Sequence, residues 1–200
     1  MPGKDIIIRP VNKSDAEAIQ RIYAPYVIHT PVSFETEVPS ITEIERRILK
    51  TKDSLPWLVC EIEHKIAGYA YAVDHRSRSA YQWSKELSVY IDEDFRRRKI
   101  ATALYTSVIH MLKAQGVVNA LAGISLPNSE SVSFHENFGF TQVGIYHNVG
   151  YKLNKFHDTG WYEYVISKVD GPPSKIIPIN EIRNSETWVK ALHHGLSLIC

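Results

Sequence analysis

The sequence predicts a mixed α/β sheet, because short apolar runs typical of strands alternate with segments whose apolar side chains follow helical spacing. Residues 57–62 and 66–73 are apolar runs joined by a tight turn, which predicts a β-hairpin. Residues 100–115 carry an apolar stripe at helical spacing and end at Gly116, which predicts a helix. In chain order the predicted elements are β-α-α-β-β-β-α-β-α-β-β, with no internal repeat.

Two capping signals place the first helices. Ser14 with Glu17, and Ser40 with Glu43, have the spacing of a capping box, so each pair predicts a helix N-terminus. Pro25 should end or kink the first of these helices. The predicted strands cover residues 5–9, 57–62, 66–73, 81–91, 117–124, 140–149 and 161–168.

The last part of the chain departs from this pattern. A Gly-Pro-Pro-Ser segment at 171–174 interrupts it, so we divide the chain into a domain at 1–169 and a C-terminal extension at 170–200. The extension carries one weak helical pattern at 186–194. We expect it to pack on the surface of the domain.

Composition excludes several functional classes. The net charge of +1 gives no reason to expect a nucleic-acid partner, and no apolar run approaches the ~20 residues of a membrane helix. Cys60 and Cys200 do not form a disulfide framework, so we expect a reducing, cytoplasmic environment. We expect no metal, because no His or Cys residues have metal-ligand spacing. Phosphate-binding P-loop and strand-associated dinucleotide signatures are also missing.

A basic segment, 96–99, is the strongest chemical signal. It lies between a predicted strand and the helix at 100–115, where the first amides of the helix have no partner within the helix. Helix N-termini flanked by arginine bind phosphate through backbone donors and charge-assisted hydrogen bonds. The segment therefore predicts a binding site for a phosphorylated carrier.

Five further residues are candidates for the site. Glu86 has apolar and aromatic neighbours in sequence, so we expect a partly buried carboxylate suited to general-base catalysis. Arg76 and Arg78 lie in a loop, where they could bind a substrate carboxylate or serve only as solubilising charge. Asn128 could cap a helix or bind an amide of the carrier. His135 lies either on a helix surface or in the pocket.

Together these segments resemble the GNAT acyltransferase superfamily, and more closely its phosphinothricin and methionine sulfoximine N-acetyltransferases. The resemblance runs from about Ile7 to Val169. The segments that carry it are 8–10, 22–27, 32–37, 56–59, 67–72, 86–91, 126–129, 134–140 and 156–158. It implies the GNAT fold, with a mixed, mostly antiparallel central sheet flanked by helices and followed here by a short C-terminal appendage.

The resemblance also implies an activity: acetyl-CoA-dependent transfer to the amine of a small amino acid, by a homodimer. Glu86 matches the proposed base, acting through water. The residues that match cofactor-binding positions are Val89, Tyr90, Ile91, Arg97, Arg98, Lys99, Ile100, Ala101, Thr102 and Asn128. Those that match positions around the substrate are Phe34, Arg76, Arg78 and Tyr90.

One position departs from the family's loop pattern, Gln/Arg-x-x-Gly-x-Gly/Ala. Arg96 and Ala101 fit it, but Lys99 replaces the first glycine, which predicts weaker CoA binding because glycine allows closer backbone approach and positive φ. The alternatives are an acyl-CoA-binding domain with weakened catalysis, or a transferase for a polyamine or a protein N-terminus.

The residues suggest a direct transfer. The N–H of Tyr90 or Ile91 would stabilise the oxyanion, and Tyr105 or Tyr146 could protonate the leaving thiolate.

Overall fold

A seven-stranded sheet organises the molecule, whose computed structural model describes residues 5–199. The strands are β1 (Ile6–Pro10), β2 (Trp57–Ile62), β3 (Lys65–Asp74), β4 (Ser84–Ile91), β5 (Asn119–Leu126), β6 (Thr141–Lys152) and β7 (Lys155–Val165). Their order across the sheet is β1-β2-β3-β4-β5-β7-β6. Only β4 and β5 pair in parallel among these seven strands, which confirms a mixed, mostly antiparallel sheet.

Helices cover both faces of this sheet. They are α1 (Ala16–His29), α2 (Ile41–Thr51), α3 (Ile100–Gln115), α4 (Ser129–Phe138), α5 (Ile179–Ile182) and α6 (Glu186–Leu196). One core cluster lies between the sheet and α1 with α2, and a larger one contains the buried face of α3. β3 serves both clusters, since Tyr69 belongs to the first and its neighbour Ala70 to the second. None of the helices within 5–199 is both long and apolar enough to cross a membrane.

α1 starts later than predicted, and it does not end at Pro25. The backbone N–H of Asn12 donates to Asp15 Oδ2 at 2.7 Å, and Arg9 holds the same carboxylate, so the helix starts at Ala16 and not at the Ser14 signal. Pro25 does not end the helix, which continues to His29. Tyr23 and Val27, on either side of the proline, are buried, and the Tyr26 hydroxyl donates to Ile91 O on β4, so these contacts offset the lost hydrogen bond.

The second capping signal is confirmed in part. Ser40 Oγ accepts a hydrogen bond from the backbone N–H of Glu43 at 3.1 Å and caps α2. The Glu43 carboxylate does not complete the capping box. It accepts hydrogen bonds from Arg46 and Arg47 at 2.7 to 2.8 Å instead.

Two strand boundaries also differ from prediction. Residues 79–81 form a short 3₁₀ turn, so β4 begins at Ser84 and not at residue 81. β6 and β7 extend further towards their shared hairpin turn than predicted, because Leu153 and Asn154 take positive φ of 50° and 61° and close that turn without glycine.

The parallel pairing of β4 with β5 is short, and this creates the main cleft. It covers only residues 84–86 against 119–121. β4 continues along β3 to Ile91, whereas β5 continues along β7 to Leu126. The two strands therefore separate towards their C-terminal ends, with α3 following one strand and α4 following the other.

The C-terminal extension packs on α3. Ser107 Oγ, in the middle of α3, donates to the carbonyl of Ala191 at 2.9 Å, and Gly195 lies against Ala103 near the start of α3. The helices are therefore antiparallel. Trp188 is 5% exposed within the same core cluster, so α6 is part of the hydrophobic core.

Candidate functional site

The cleft between β4 and β5 is lined on one side by main-chain groups of β4. The N–H of His75 donates to Ser84 O and that of Asp92 to Ala67 O, and the register between these pairs is regular. Hydrogen-bonded pairs alternate along an antiparallel ladder, so Tyr90 exchanges its main-chain bonds with Tyr69. The main-chain groups of Val89 and Ile91 consequently point to the cleft.

This pattern separates the two candidate oxyanion donors. The N–H of Tyr90 is committed to β3, whereas the N–H of Ile91 faces the opening. The carbonyl of Ile91 accepts from the hydroxyl of Tyr26 at 2.8 Å, which holds the end of β4 against α1. Of the two, only Ile91 can present an N–H to a ligand between β4 and β5.

The basic loop ends in a helix N-terminus free of capping side chains. Arg97 and Lys99 both take left-handed conformations, with φ of 62° and 59°, and Lys99 is the N-cap of α3. The first bond of the helix runs from Ala103 N to Lys99 O. Within residues 5–199, the amides of residues 100–102 have no partner, as an anion site at a helix N-terminus requires.

The four cationic side chains of this loop fall into two pairs with different surroundings. Arg98 lies over the ring of Phe95 at 5.4 Å, and Arg96 lies over Tyr26 at 5.8 Å, so these two guanidinium groups are oriented by aromatic rings. Arg97 and Lys99 are exposed and make no ion pair with any residue that the structure describes. Both charges are free for a phosphorylated ligand.

Asn128 lies where α4 begins at the opposite wall of the cleft. Its Oδ1 accepts a hydrogen bond from the backbone N–H of Ser131 at 3.1 Å, so it caps α4. It also lines the cleft together with Val89 and Tyr90. The capping and ligand-binding interpretations are therefore compatible, since capping uses the oxygen and leaves the amide NH₂.

Tyr105 and His135 form a buried pair in the cleft, 1% and 5% exposed. His135 Nδ1 lies 2.7 Å from the Ser131 carbonyl, which can only accept, so Nδ1 carries the proton. Nε2 then accepts the Tyr105 hydroxyl at 3.1 Å. Burial lowers the pKa of His135 and raises that of Tyr105, which favours the neutral form of both.

The other tyrosine considered as a proton donor is elsewhere. Tyr146 on β6 is 50% exposed and does not line the cleft. Its ring centroid lies 6.0 Å from that of Trp161, with the two rings tilted. Tyr105 is therefore the better placed of the two. Its hydroxyl proton points at His135 and must turn to reach a sulfur in the cleft.

Glu86 is partly buried, as expected, and has a partner that sequence reasoning missed. Its Oε1 lies 2.7 Å from His75 Nδ1. The ring of His75 is packed edge-on between Tyr81 at 5.9 Å and Trp161 at 5.7 Å. The signal was available in the hairpin register: Val73 is opposite Glu86, and His75 is the next residue on that face of β3.

The arginines predicted to contact substrate follow His75 directly. Arg76 and Arg78 are both exposed, and their side chains make no hydrogen bond or ion pair within the described part of the chain. Their charges lie in the loop that connects β3 to β4, next to the His75–Glu86 pair. Both guanidinium groups are therefore available to bind an anion.

Phe34 lies at the hairpin of β6 and β7. Its ring covers Gly150, where any Cβ would overlap it, and lies 6.3 Å from that of His157. The loop is held there by Lys152, whose ammonium donates to the carbonyl of Ser33 at 2.6 Å. None of the described contacts of Phe34 is with Glu86, although Val32 in the same loop lines the cleft.

A second cavity of about 410 Å³ lies under α2 and contains none of the predicted site residues. Its floor is aromatic, with the rings of Trp57 and Tyr71 stacked at 4.6 Å. Arg46 and Arg47 line its mouth, and both are paired with Glu43.

Comparison with known proteins agrees with this geometry. The family model described as an acetyltransferase (GNAT) domain matches residues 8–161. The chain belongs to the GNAT acetyltransferases. It is also 34% identical to the phosphinothricin N-acetyltransferase of Streptomyces viridochromogenes, over 90% of this chain and 97% of that protein. A methionine sulfoximine/methionine sulfone acetyltransferase of Salmonella typhimurium is 26% identical over 82% of this chain and 97% of its own length.

Solved GNAT structures show the same architecture. The phosphinothricin acetyltransferase of Sinorhizobium meliloti, in complex with acetyl-CoA, superposes with a TM-score of 0.82 at 25% identity, covering 87% of this chain and 96% of the other. An N-acetyltransferase of Staphylococcus aureus gives a TM-score of 0.78 at 30% identity, over 82% and 99%. The predicted resemblance, the GNAT fold and an acyltransferase activity are thereby confirmed.

Proposed function

We propose that this GNAT enzyme acetylates the amine of a small amino acid or an analogue of the phosphinothricin or methionine sulfoximine type. The observation that carries the proposal is the cleft between β4 and β5. Glu86 lies on β4 where the two strands are still paired, and the uncapped N-terminus of α3 follows the open end of the same strand. The names of the relatives support the substrate class, and the two unpaired arginines of the β3–β4 loop supply a partner for its carboxylate.

Acetyl-CoA binding would use main-chain groups more than side chains. Its pyrophosphate accepts hydrogen bonds from the free amides at residues 100–102, with Arg97 and Lys99 close by. Its amide-bearing arm pairs with the main-chain groups of Val89, which face the cleft, because the carbonyl of Ile91 is bonded to Tyr26 and its N–H serves the oxyanion. Asn128 bounds the arm from the side of α4.

The chemical step is direct transfer. An ordered water takes a proton from the acceptor ammonium and passes it to Glu86, because a protonated amine cannot attack. The amine then forms the C–N bond, and the N–H of Ile91 stabilises the oxyanion before the C–S bond breaks. After attack the nitrogen still carries one proton more than the amide product, and the departing CoA thiolate needs one proton. Tyr105 would pass a proton to the thiolate and regain one from that nitrogen, so its buried hydroxyl is neutral again after turnover.

Replacing Glu86 tests the base. We expect Glu86→Gln to lower kcat by roughly 10²- to 10⁴-fold, with little change in acetyl-CoA affinity, because general-base catalysis contributes about that factor. Release of free CoA, measured over a panel of amino acids and analogues, provides the assay. Glu17→Gln removes an exposed carboxylate on α1 and is the matched control. Near-normal turnover of Glu86→Gln would exclude Glu86 as the base, and absence of CoA release with every acceptor, polyamines and peptides included, would favour a binding domain without catalysis.

We also propose that two copies associate through β6. This strand is an edge of the sheet and exposes apolar side chains, with Val143 at 57%, Val149 at 53% and Tyr151 at 60%. A long apolar edge strand invites pairing with another chain, and a second copy offers the same edge.

Light scattering during size-exclusion chromatography tests this association. We expect about twice the chain mass of 22.8 kDa for the natural protein and a monomer for Val149→Glu. Val189→Glu on α6, where the valine is equally exposed, is the control and should leave the mass unchanged. A natural protein that is monomeric at micromolar concentration would contradict the proposal.

A further inference from the structure

His75 and Glu86 form an isolated pair at the corner of the β3–β4 hairpin. Nδ1 of His75 and Oε1 of Glu86 are 2.7 Å apart, and the two side chains are 16% and 32% exposed. The described residues offer no other hydrogen-bond partner to the Glu86 carboxylate. His75 is therefore the one contact from 5–199 that fixes the orientation of this carboxylate.

The chemistry of the pair sets the direction of its hydrogen bond. An ionised carboxylate only accepts, so Nδ1 of His75 must carry the proton that it donates to Oε1. Within residues 5–199 Oε2 has no hydrogen-bond partner and can accept one from water.

The His75 ring is itself held from three sides. Tyr81 and Trp161 contact its faces edge-on, and the backbone N–H of His75 reaches Ser84 O across the hairpin. Tilting the ring out of its plane would lose both aromatic contacts, and a flip within the plane would put carbon in place of Nδ1 opposite Oε1. Glu86 is thus supported by a fixed donor.

We infer that His75 is a positioning residue for Glu86. Its Nδ1–H holds Oε1 so that Oε2 remains directed at the water that carries the acceptor's proton. This role rests on the proposed function of Glu86 as the base and assigns to His75 a task beyond packing the end of the sheet. The same backbone segment carries Arg76 and Arg78. The orientation of the Glu86 carboxylate and the positions of these arginines therefore depend on one loop.

Two substitutions separate positioning from packing. Nδ2 of asparagine lies one bond beyond Cγ, as Nδ1 of histidine does, so His75→Asn keeps a donor near Oε1 but loses the ring. His75→Phe keeps a ring between Tyr81 and Trp161 but loses the donor. We expect kcat to fall about 10-fold or more in His75→Phe and at most about 3-fold in His75→Asn, with the KM for acetyl-CoA unchanged in both, because a lost charge-assisted hydrogen bond has about that effect.

The opposite order would overturn the inference. If the ring only packs, His75→Phe keeps normal kcat and His75→Asn is impaired. If His75 acts only by positioning Glu86, its loss should not matter once the Glu86 carboxylate is gone. His75→Phe should therefore lower kcat no further when Glu86→Gln is already present. An additional 10-fold loss in that double variant would place the role of His75 elsewhere.

A spectroscopic measurement tests the pair without turnover. Long-range ¹H–¹⁵N spectra of the full chain should show His75 as the Nδ1–H tautomer, and Glu86→Gln should change that signal. A predominant Nε2–H form would overturn the inference even in an active enzyme. Normal turnover by Glu86→Gln would instead show that the base assignment fails, which distinguishes the two failures.

Discussion

Lys99 occupies a backbone conformation that glycine normally supplies. The family pattern places glycine there, and Lys99 takes the same left-handed region with φ of 59°. The substitution therefore preserves the shape of the loop and stores strain, since this conformation costs a non-glycine residue about 1–2 kcal/mol. The loop is not closed by the lysine, because the amides of residues 100–102 remain free within 5–199.

Lys99→Gly should stabilise the protein and tighten acetyl-CoA binding. Relief of about 1–2 kcal/mol of strain exceeds the roughly 0.4–1 kcal/mol of unfolded-chain entropy that glycine adds, so we expect a net gain of about 0.5–1 kcal/mol. Urea denaturation and calorimetric titration with acetyl-CoA measure the two effects. His64→Gly, at φ of 63° in the β2–β3 turn, should gain similar stability with an unchanged Kd. An unchanged Kd in Lys99→Gly as well would dispose of the idea that Lys99 weakens CoA binding.

Single positions differ in how far the sequence could predict them. The basic loop and Glu86 could be chosen because their signals are local, a charge run before a helix and a carboxylate among apolar residues. The pairing of Tyr105 with His135 joins residues 30 apart and depends on how α4 packs against α3. His75 required the exact register of the β3–β4 hairpin, which propensities do not provide.

At the scale of helices and strands, side-chain contacts explain the ends of α1 and the cap of α2 where local sequence rules were wrong. At α1, the pairing of Asp15 with Arg9 outweighs the local Ser14 signal, and core packing carries the helix past Pro25. At α2, the sequence predicted the Ser40 cap but not the partners of the Glu43 carboxylate. Arg46 and Arg47 lie three and four residues after Glu43, so both reach its carboxylate on the helix surface. Long-range contacts therefore adjust these ends without changing the elements.

The acid stability of α2 should depend on Glu43. Hydrogen bonds from Arg46 and then Arg47 lower the pKa of Glu43 from its ordinary value of 4.5 to about 2. A carboxylate whose pKa is depressed in the folded state contributes stability above its unfolded pKa and loses it as pH falls through the folded value. We therefore expect the stability difference between the natural protein and Glu43→Gln to be constant above about pH 5 and to vanish towards pH 2.

Urea denaturation across that pH range is the measurement. The effect should shrink in 1 M salt, because the carboxylate and both guanidinium groups are reached by solvent. Glu17→Gln, in the first turn of α1 and without an ion pair in the described chain, is the control for removing an exposed helix carboxylate. Parallel pH curves for the natural protein and Glu43→Gln would contradict the prediction.

Across the entire chain, the order of elements and the mixed sheet could be read from hydrophobic patterns. The separation of β4 from β5 could not, because it arises from each strand keeping a different antiparallel neighbour. Nor did any pattern reveal how closely the extension at 170–200 is integrated. Ile179 and Trp188 are 1% and 5% exposed, and Trp83 Nε1 donates to Ser174 O at 2.7 Å. The division at residue 169 stays a prediction from sequence.

Gly195→Ala tests how much α6 contributes. A Cβ at Gly195 would overlap the main-chain oxygen of Ala103 and Ser107 Oγ, and a helix backbone cannot yield as a flexible side chain can. We expect a net loss of about 1 kcal/mol, because overpacking of about 2 kcal/mol, the middle of its usual range, outweighs the better helix propensity of alanine, about 1 kcal/mol. Urea denaturation provides the measurement. Gly144→Ala, with nothing within 4 Å of its added Cβ, should change stability by less than about 0.5 kcal/mol.

The antiparallel docking of α6 has a practical consequence for handling the enzyme. Because Gly195 lies against Ala103, polypeptide appended after α6 emerges next to the first turn of α3 and the cationic loop before it. An affinity tag placed there would crowd the helix N-terminus proposed to bind the pyrophosphate, and an acidic tag would compete for Arg97 and Lys99. Donor affinities of this enzyme should therefore be determined after proteolytic removal of any such tag.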